Sequence, residues 1–516
     1  MEAPELDHEV IIIGAGFSGI GTAIKLQHAG IGDFAILEQA DDVGGTWRAN
    51  TYPGLAVDIP SFTYQFSFEM NPDWSRVFAP GAEVKAYADH CVEKYGLRSK
   101  LRLGTKVDRA VFDEDEHVWR VHIGERVLSA RYLVSALGVL TQPKNPDIPG
   151  LDDFAGKTVH TAEWDHGHDL TGKRVAVIGT GATAVQLVPR VASWAKQLYV
   201  FQRTPIWVFP KPNFRMPKLV RSAFRRVPGF QNAVRLITSA AVEGGMVVGV
   251  VYNRQFPIIT RGIEAFGRRF LRWQVPDPVL REKLTPRYGF GCKRPSMSNN
   301  WLRTFARKDT ELVTEPIERI TPTGIRTRDG AEREVDTLVL ATGYLVSEPD
   351  NVPPIPIVGR GGVALGEFWQ ESRFQTYEGT TVPGFPNAFS IFGPYALIGS
   401  SWMFMIEYQA NHAVRVIEET RRRGATLAEV RQEPHDAFFA DTLRRQQNTV
   451  FFNNRCGASN SYYFDKHGDA PFLRPATALE TWWRSKHFDL DDYRYEAVGE
   501  RASAPAPAPA GQVADS

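Results

Sequence analysis

The chain has 516 residues, 43% hydrophobic and 23% charged, and its 60 Lys and Arg nearly balance 59 Asp and Glu for a formal net charge of +1. That length gives room for two or three domains with a sizeable core, and the near-neutral balance gives no global support for nucleic-acid binding. Cys91, Cys292 and Cys456 lie far apart, which reads as neither a disulfide framework nor a metal-ligand cluster and fits a reducing cytoplasm. The opening MEAPELDHEV carries no secretory pattern, and no run of about 18 uninterrupted apolar residues marks a spanning helix.

Residues 10–13 are apolar without alternation and read as a buried strand. Gly14-Ala15-Gly16-Phe17-Ser18-Gly19 then turns into a helix running to about His28, and residues 34–37 form the next strand, ended by Glu38. In such a β-α-β unit Gly14 permits the tight turn and Gly16 lets the backbone approach a pyrophosphate. Gly19 allows close helix–strand packing, and Glu38 accepts from ribose hydroxyls. The same order returns at residues 174–178, followed by Gly179-Thr180-Gly181-Ala182-Thr183-Ala184, a helix, and a strand over 198–202. Gly14 to Glu38 and Gly179 to Arg203 both span 24 positions, so the second unit carries a cation where the first carries an acid. Arg203 attracts a 2′-phosphate that a carboxylate would repel, and Thr204 adds a hydroxyl, which points to NADP(H) in the second site. Two such units predict an α/β chain with two Rossmann-like dinucleotide-binding domains.

Residues 211–290 are rich in Arg, Phe and Val with little strand signal and read as a mostly helical insertion. A strand pattern returns over 333–340. From about 499 the chain is Ala/Pro-rich and polar, which predicts a disordered tail. The insertion holds 15 Lys and Arg against four acids, a local charge of +11, and includes the apolar stretch 240–251 interrupted by Glu243. Two readings stay open for it. One is a surface that rests on an anionic membrane and admits a lipophilic substrate; the other is a core-packed helical subdomain with solvated or salt-bridged arginines.

Three longer motifs carry a resemblance to the class B flavoprotein monooxygenases, and within them to the Baeyer–Villiger monooxygenases. They are Phe154-x-Gly156-xxx-His160-xxx-Trp164-Asp165; Gly44-Gly45-Thr46-Trp47-xxxx-Tyr52-Pro53-Gly54-xxx-Asp58; and Ala341-Thr342-Gly343-Tyr344 preceded by Asp336. The resemblance spans roughly residues 8 to 495 and implies FAD on the first glycine loop, NADPH on the second, and a small ketone and O2 as co-substrates. It implies domains at 1–145 with 380–498 for FAD, 146–210 with 291–379 for NADPH, and the insertion at 211–290. Ala136-Leu137-Gly138 departs from the usual family triplet. Gly138, Gln39, Thr46, Val107, Ala341, Thr342, Gly343 and Gly393 join the implied cofactor-binding set. Gly45 is implied to pass close to the flavin, and Trp47 and Tyr64 either pack near its rings or are plain core aromatics. His160 and Trp164 are read as structural and domain-coupling residues.

The resemblance also implies chemistry. A flavin C4a-peroxide attacks the ketone, and a permanently charged guanidinium beside it stabilises the anionic species. Tyr288-Gly-Phe-Gly-Cys-Lys293-Arg294-Pro295 resembles the segment that supplies this arginine, so Arg294 takes that role. Asp58 pairs with it, and Lys293 helps Arg203 hold the 2′-phosphate. Without the motif, Lys293 and Arg294 would read as a solvated basic pair. Two alternatives stand beside ketone oxygenation: S- or N-oxygenation with the same cofactors, and a flavoprotein reductase. The disulfide type of reductase needs a closely spaced cysteine pair that the sequence lacks. No metal site is expected, and neither the particular substrate nor the oligomeric state is legible.

Overall fold

A computed structural model of the chain describes residues 5–346, 352–397, 399 and 401–499. The tail expected from 499 onward lies outside the described residues save Gly499.

The first sheet is built around β1 (His8–Ile13), β2 (Phe34–Leu37), β3 (Leu101–Arg102), β4 (Arg109–Asp113), β5 (Val118–Ile123) and β6 (Arg126–Ser135). Across the sheet they run β4-β5-β6-β1-β2-β3, with Ile357–Val358 outside β4 and Ala388–Ser390 beside β6. β1 pairs in parallel with both β2 and β6, placing Val10 opposite Phe34 and Tyr132. Val10, Ile11 and Ile12 are fully buried, as both faces of a central parallel strand must be when helices cover them. One cover is α1 (Phe17–His28), which lies against the long helix Trp402–Arg422. Gly21 permits that approach, since a Cβ there would sit 2.8 Å from Ile406 Cγ2 and from the Phe66 ring.

The second sheet contains β7 (Lys157–His160), β8 (Arg174–Ile178) and β9 (Gln197–Phe201), all parallel, in the order Thr310–Val313, β9, β8, Thr337–Leu340, β7. The strand expected over 333–340 is two strands in different sheets. Glu332–Glu334 belongs to a small antiparallel meander, and Thr337–Leu340 pairs with β7 and β8. The break falls at Asp336, whose carboxylate accepts from the Arg174 backbone N–H at 2.7 Å and from its guanidinium at 2.8 Å, pinning the start of both parallel strands.

The insertion is helical, as expected: Lys218–Arg226, Phe230–Val242 continuing through a π turn into Val248–Val251, Pro257–Gln274 and Pro278–Lys283. At its neck the short strands Val208–Phe209 and Ser296–Met297 pair in parallel, so the chain leaves and returns at one place.

The reading of the cysteines is corrected. Cys292 and Cys456 form a disulfide with Cα atoms 5.1 Å apart, and Cys91 alone is free and buried. The two partners are 164 positions apart, and only packing of the C-terminal segment on the Arg294-bearing segment brings them together. Glu264, on the insertion helix Pro257–Gln274, holds the same junction. Its Oε1 accepts from the Phe290 backbone N–H at 2.9 Å and from Asn454 Nδ2 at 3.3 Å.

Candidate active site

The two glycine loops lie at the carboxyl ends of their central strands, β1 and β8, where a parallel sheet opens onto its ligands. Gly14 has φ +107°, and a Cβ there would meet Ala136 O at 2.6 Å; a Cβ on Gly19 would meet Gly14 O at 1.9 Å. The sequence therefore places glycine where the backbone leaves no room for a side chain. Gly45 lies against this loop, with its Cβ position 3.0 Å from Gly16 Cα. Glu38 is buried and binds the loop itself: its two oxygens accept from the Ala15 N–H at 2.7 Å and the Ala40 N–H at 2.9 Å. An ionised carboxylate has about four acceptor positions, so two remain for hydroxyls. Phe17 and Ser18 are buried in the first turn of α1, and Gln39 is exposed just past the end of β2.

Tyr64 stands beside this loop, edge-on to Phe17 and hydrogen-bonded to Trp47 Nε1 at 2.9 Å, with the rings of Trp47 and Tyr64 edge to face. Burial pushes the Tyr64 phenol well up, so it stays a neutral hydroxyl. Thr46 is exposed at the start of the short helix Thr46–Ala49. Val107 is a core side chain, and Gly138, at φ +70°, has open space where a Cβ would stand. Gly393 packs its Cα against Gly379 O, and the preceding Phe392 N–H is held by Gln409 at 2.8 Å.

In the second loop Gly179 has φ +120° and its Cβ position lies 2.3 Å from Ala341 O, whereas Gly181, at the helix N-terminus, faces open space. Thr180 Oγ1 donates to Thr204 O at 3.0 Å, tying the loop to the residue after Arg203. Ala182 and Thr183 open the helix Ala182–Val191. Arg203 and Lys293 converge: burial first, then the positive charge of Arg203, holds the Lys293 amine below its usual range. The Asn460 amide lies against the Arg203 guanidinium and, turned with its oxygen inward, accepts from Nε at 2.7 Å and Nη2 at 2.9 Å. Thr342 Oγ1 donates to Lys144 O at 2.5 Å and lies 3.3 Å from His160 Nε2. Burial depresses the His160 imidazole below its ordinary value, so it is neutral near pH 7. Gly343 adopts φ +82°, and the next residue, Tyr344, reaches Asn50 Oδ1 at 2.8 Å, across to the first nucleotide unit.

Arg294 and Asp58 meet between the two units. Arg294 Nε donates to Asp58 Oδ2 at 2.9 Å and Nη2 donates to Oδ1 at 2.8 Å, a two-pronged pair. The side chains are 44% and 28% exposed, so the pair lines an accessible space. The Asp58 carboxylate raises the arginine's proton affinity still further, leaving it charged at every working pH.

Several residues that complete this arrangement escaped sequence reasoning. Gln186, on the second glycine helix, accepts from Tyr52 Oη at 3.1 Å and the Ala56 N–H at 3.2 Å and donates to Ala56 O at 2.9 Å. It thereby docks the loop bearing Tyr52 and Asp58 onto the second nucleotide unit. Lys211 donates to Val57 O at 2.9 Å, beside Asp58; burial lowers its amine and Asp58 partly restores it. Tyr462 and Tyr463 face Arg294 from the C-terminal segment. Gln186, Lys211 and Asn460 sit in no recognisable spacing, so no sequence signal marks them.

Comparison with known proteins adds three findings. The pyridine nucleotide-disulphide oxidoreductase family pattern matches residues 11–243. A Baeyer-Villiger monooxygenase of Pseudomonas aeruginosa is 38% identical over 450 residues, covering 87% of this chain and 84% of that protein. One of Streptomyces coelicolor is 36% identical over 492 residues, covering 94% and 92%. The crystal structure of OTEMO in complex with FAD and NADP superposes with a TM-score of 0.82 at 28% identity, over 95% of this chain and all of the other.

Proposed function

The chain belongs to the Baeyer–Villiger monooxygenases, and from that premise we propose that it converts a lipophilic ketone to an ester or lactone at the space lined by Arg294 and Asp58. It is an FAD-dependent, NADPH-consuming monooxygenase acting on a small molecule and O2. In our reading FAD occupies the domain formed by 1–145 and 380–498, and NADPH that formed by 146–210 and 291–379. The residues fit both groups. The Gly16–Gly45 contact keeps backbone alone beside the first helix N-terminus. At the second, Gly181 is open, and Arg203 with Lys293 supplies positive charge for a 2′-phosphate.

When bound on the Gly14–Gly19 loop beside Glu38, the flavin would supply the redox chemistry that couples NADPH oxidation to transfer of one oxygen atom from O2. This chain's residues do the rest. Arg294 presents a fixed positive charge to the carbonyl oxygen as negative charge grows on it, and stays protonated throughout. Asp58 orients that guanidinium through two parallel hydrogen bonds and spreads its charge. Tyr64 and Trp47 form a neutral, hydrogen-bonded wall on the first unit. Gln186 keeps the Asp58 loop in register with the nicotinamide-side unit. The observation that carries the reading is the two-pronged Arg294–Asp58 pair standing between two complete dinucleotide loops. The test is NADPH consumption by the purified yellow protein against a panel of cyclic, long-chain and aryl ketones under 18O2, with product masses recorded. Ester or lactone carrying one labelled oxygen is expected. Turnover of sulfides or amines with every ketone inert would overturn the ketone assignment.

A further inference from the structure

The helix that begins at Phe230 and runs to Val251 carries an exposed apolar stripe along its first three turns and packs its last apolar residues inward. Within its 22 residues an 18-residue window reaches a mean hydropathy of 1.6, yet only 18% of that window is buried. By length and composition it is the one helix among the described residues able to cross a membrane. Three of its polar side chains face the protein, while Asn232 is exposed and the apolar end at Val247 and Val251 is packed inward. Gln231 is buried and donates to Asn71 O at 2.6 Å, Arg235 lies 3.9 Å from Glu407, and Glu243 accepts from the Ala478 N–H at 2.7 Å. Its apolar side faces out: Ala233, Leu236, Ile237, Ala240 and Gly244 recur at helical spacing and are all exposed, Leu236 at 70% and Ile237 at 69%. A surface helix of a water-facing protein has the opposite arrangement.

The neighbouring helix Pro257–Gln274 crosses this one at Gly249, where a Cβ would lie 2.7 Å from Ile259 Cγ2. Its exposed side mixes Ile258, 76% exposed, and Trp273, 68% exposed, with Arg261, Arg269 and Arg272. Those three arginines, with Arg226 and Arg254, make no ion pair among the described residues. The two acids between Lys218 and Pro276 are both engaged: Glu243 as above, and Glu264 buried beneath the Phe290 loop. An apolar stripe bordered by unneutralised cations and an interfacial tryptophan matches the headgroup region of an anionic bilayer. A second copy of the same face would set arginines against arginines. The buried contacts of Gln231, Arg235 and Glu243 tie the helix to the protein and leave it lying along a surface, since spanning would strip them away.

We propose that the insertion is a peripheral membrane-docking face, with the exposed side of the Phe230–Val251 helix entering the headgroup layer of an anionic lipid surface and the arginines around it contacting lipid phosphates. The experiment is flotation of the FAD-loaded full chain with vesicles of equal phosphatidylglycerol and phosphatidylcholine, and with phosphatidylcholine alone. The protein should float with the anionic vesicles and lose most of that binding at about 0.5 M salt, where screening shortens to a few ångströms. Leu236→Glu combined with Ile237→Glu should weaken binding by roughly tenfold or more, since both side chains are exposed and the change removes apolar burial and sets two carboxylates against the anionic lipid. FAD content and NADPH oxidation with a water-soluble ketone should stay unchanged. Arg261→Glu with Arg269→Glu should weaken the anionic arm separately. No flotation with anionic vesicles at low salt overturns the proposal. So does binding indifferent to the Leu236/Ile237 change. Self-association that disappears in that variant, with no vesicle binding, would assign the face to a second copy instead.

Discussion

Replacing Arg203 with Ala tests the proposed 2′-phosphate contact and with it the cofactor preference. With the Asn460 amide turned oxygen-inward, it accepts from the exposed Arg203 guanidinium at 2.7 and 2.9 Å, and Lys293 lies near the same place. A hydrogen bond to a charged partner is worth about 1.5–3 kcal/mol, and the exposed setting of Arg203 favours the lower half of that span. At 1.4 kcal/mol per factor of ten, kcat/KM for NADPH should fall by about 10- to 50-fold, mostly through KM. NADH has no 2′-phosphate, so its kcat/KM should change by less than about twofold. Steady-state kinetics with both cofactors and one saturating ketone reads the two numbers directly. Asn460→Ala should lower the NADPH value by only a few-fold, because it frees the arginine without removing its charge. Equal losses with NADPH and NADH in Arg203→Ala would refute the reasoning and move the 2′-phosphate elsewhere.

Arg294→Ala should cut ketone oxygenation by about 10²–10³, with NADPH oxidation uncoupled from product, checked by the ratio of product to NADPH consumed. Asp58→Ala should chiefly slow reduction of the bound flavin in stopped-flow absorbance, and a wild-type rate would remove Asp58 from that step. Thiol labelling of denatured, unreduced protein should find Cys91 alone, and reduction should expose all three cysteines. Cys292→Ser should lower stability by about 2–4 kcal/mol in urea melts, the usual effect of opening a long cross-linked loop. Burial holds the His412 imidazole down at about 3 against an ordinary 6.5. Below pH 6.5 the unfolded chain therefore binds the extra proton. This site's contribution to stability is complete above that pH and falls by about 1.4 kcal/mol per unit as the pH drops toward the folded value. His412→Gln should flatten the acid side of the urea-midpoint profile; an unchanged slope would show that other groups govern it.

Part of this protein was legible from the residues alone. Each glycine loop, the acid or cation 24 positions later, and the helical character of the insertion follow from short stretches of chain, where steric demands at Gly14 and Gly179 and the turn into a helix are settled by near neighbours. The family motifs carried, by resemblance, the pairing of Asp58 with Arg294, though not its two-pronged geometry. That contact joins residues 236 positions apart, and the Gln186 bond to Tyr52 joins residues 134 apart. No periodicity encodes such meetings, because they depend on how the two nucleotide units pack. The disulfide was misread for the same reason: cysteine spacing describes separation along the chain, and Cys292 and Cys456 become neighbours only when the C-terminal segment folds over the Arg294 loop. Likewise, composition marked the insertion as basic and partly apolar, but which side of the Phe230–Val251 helix faces outward was decided by Asn71, Glu407 and Ala478, partners on other elements that draw Gln231, Arg235 and Glu243 inward and leave Leu236 and Ile237 outward.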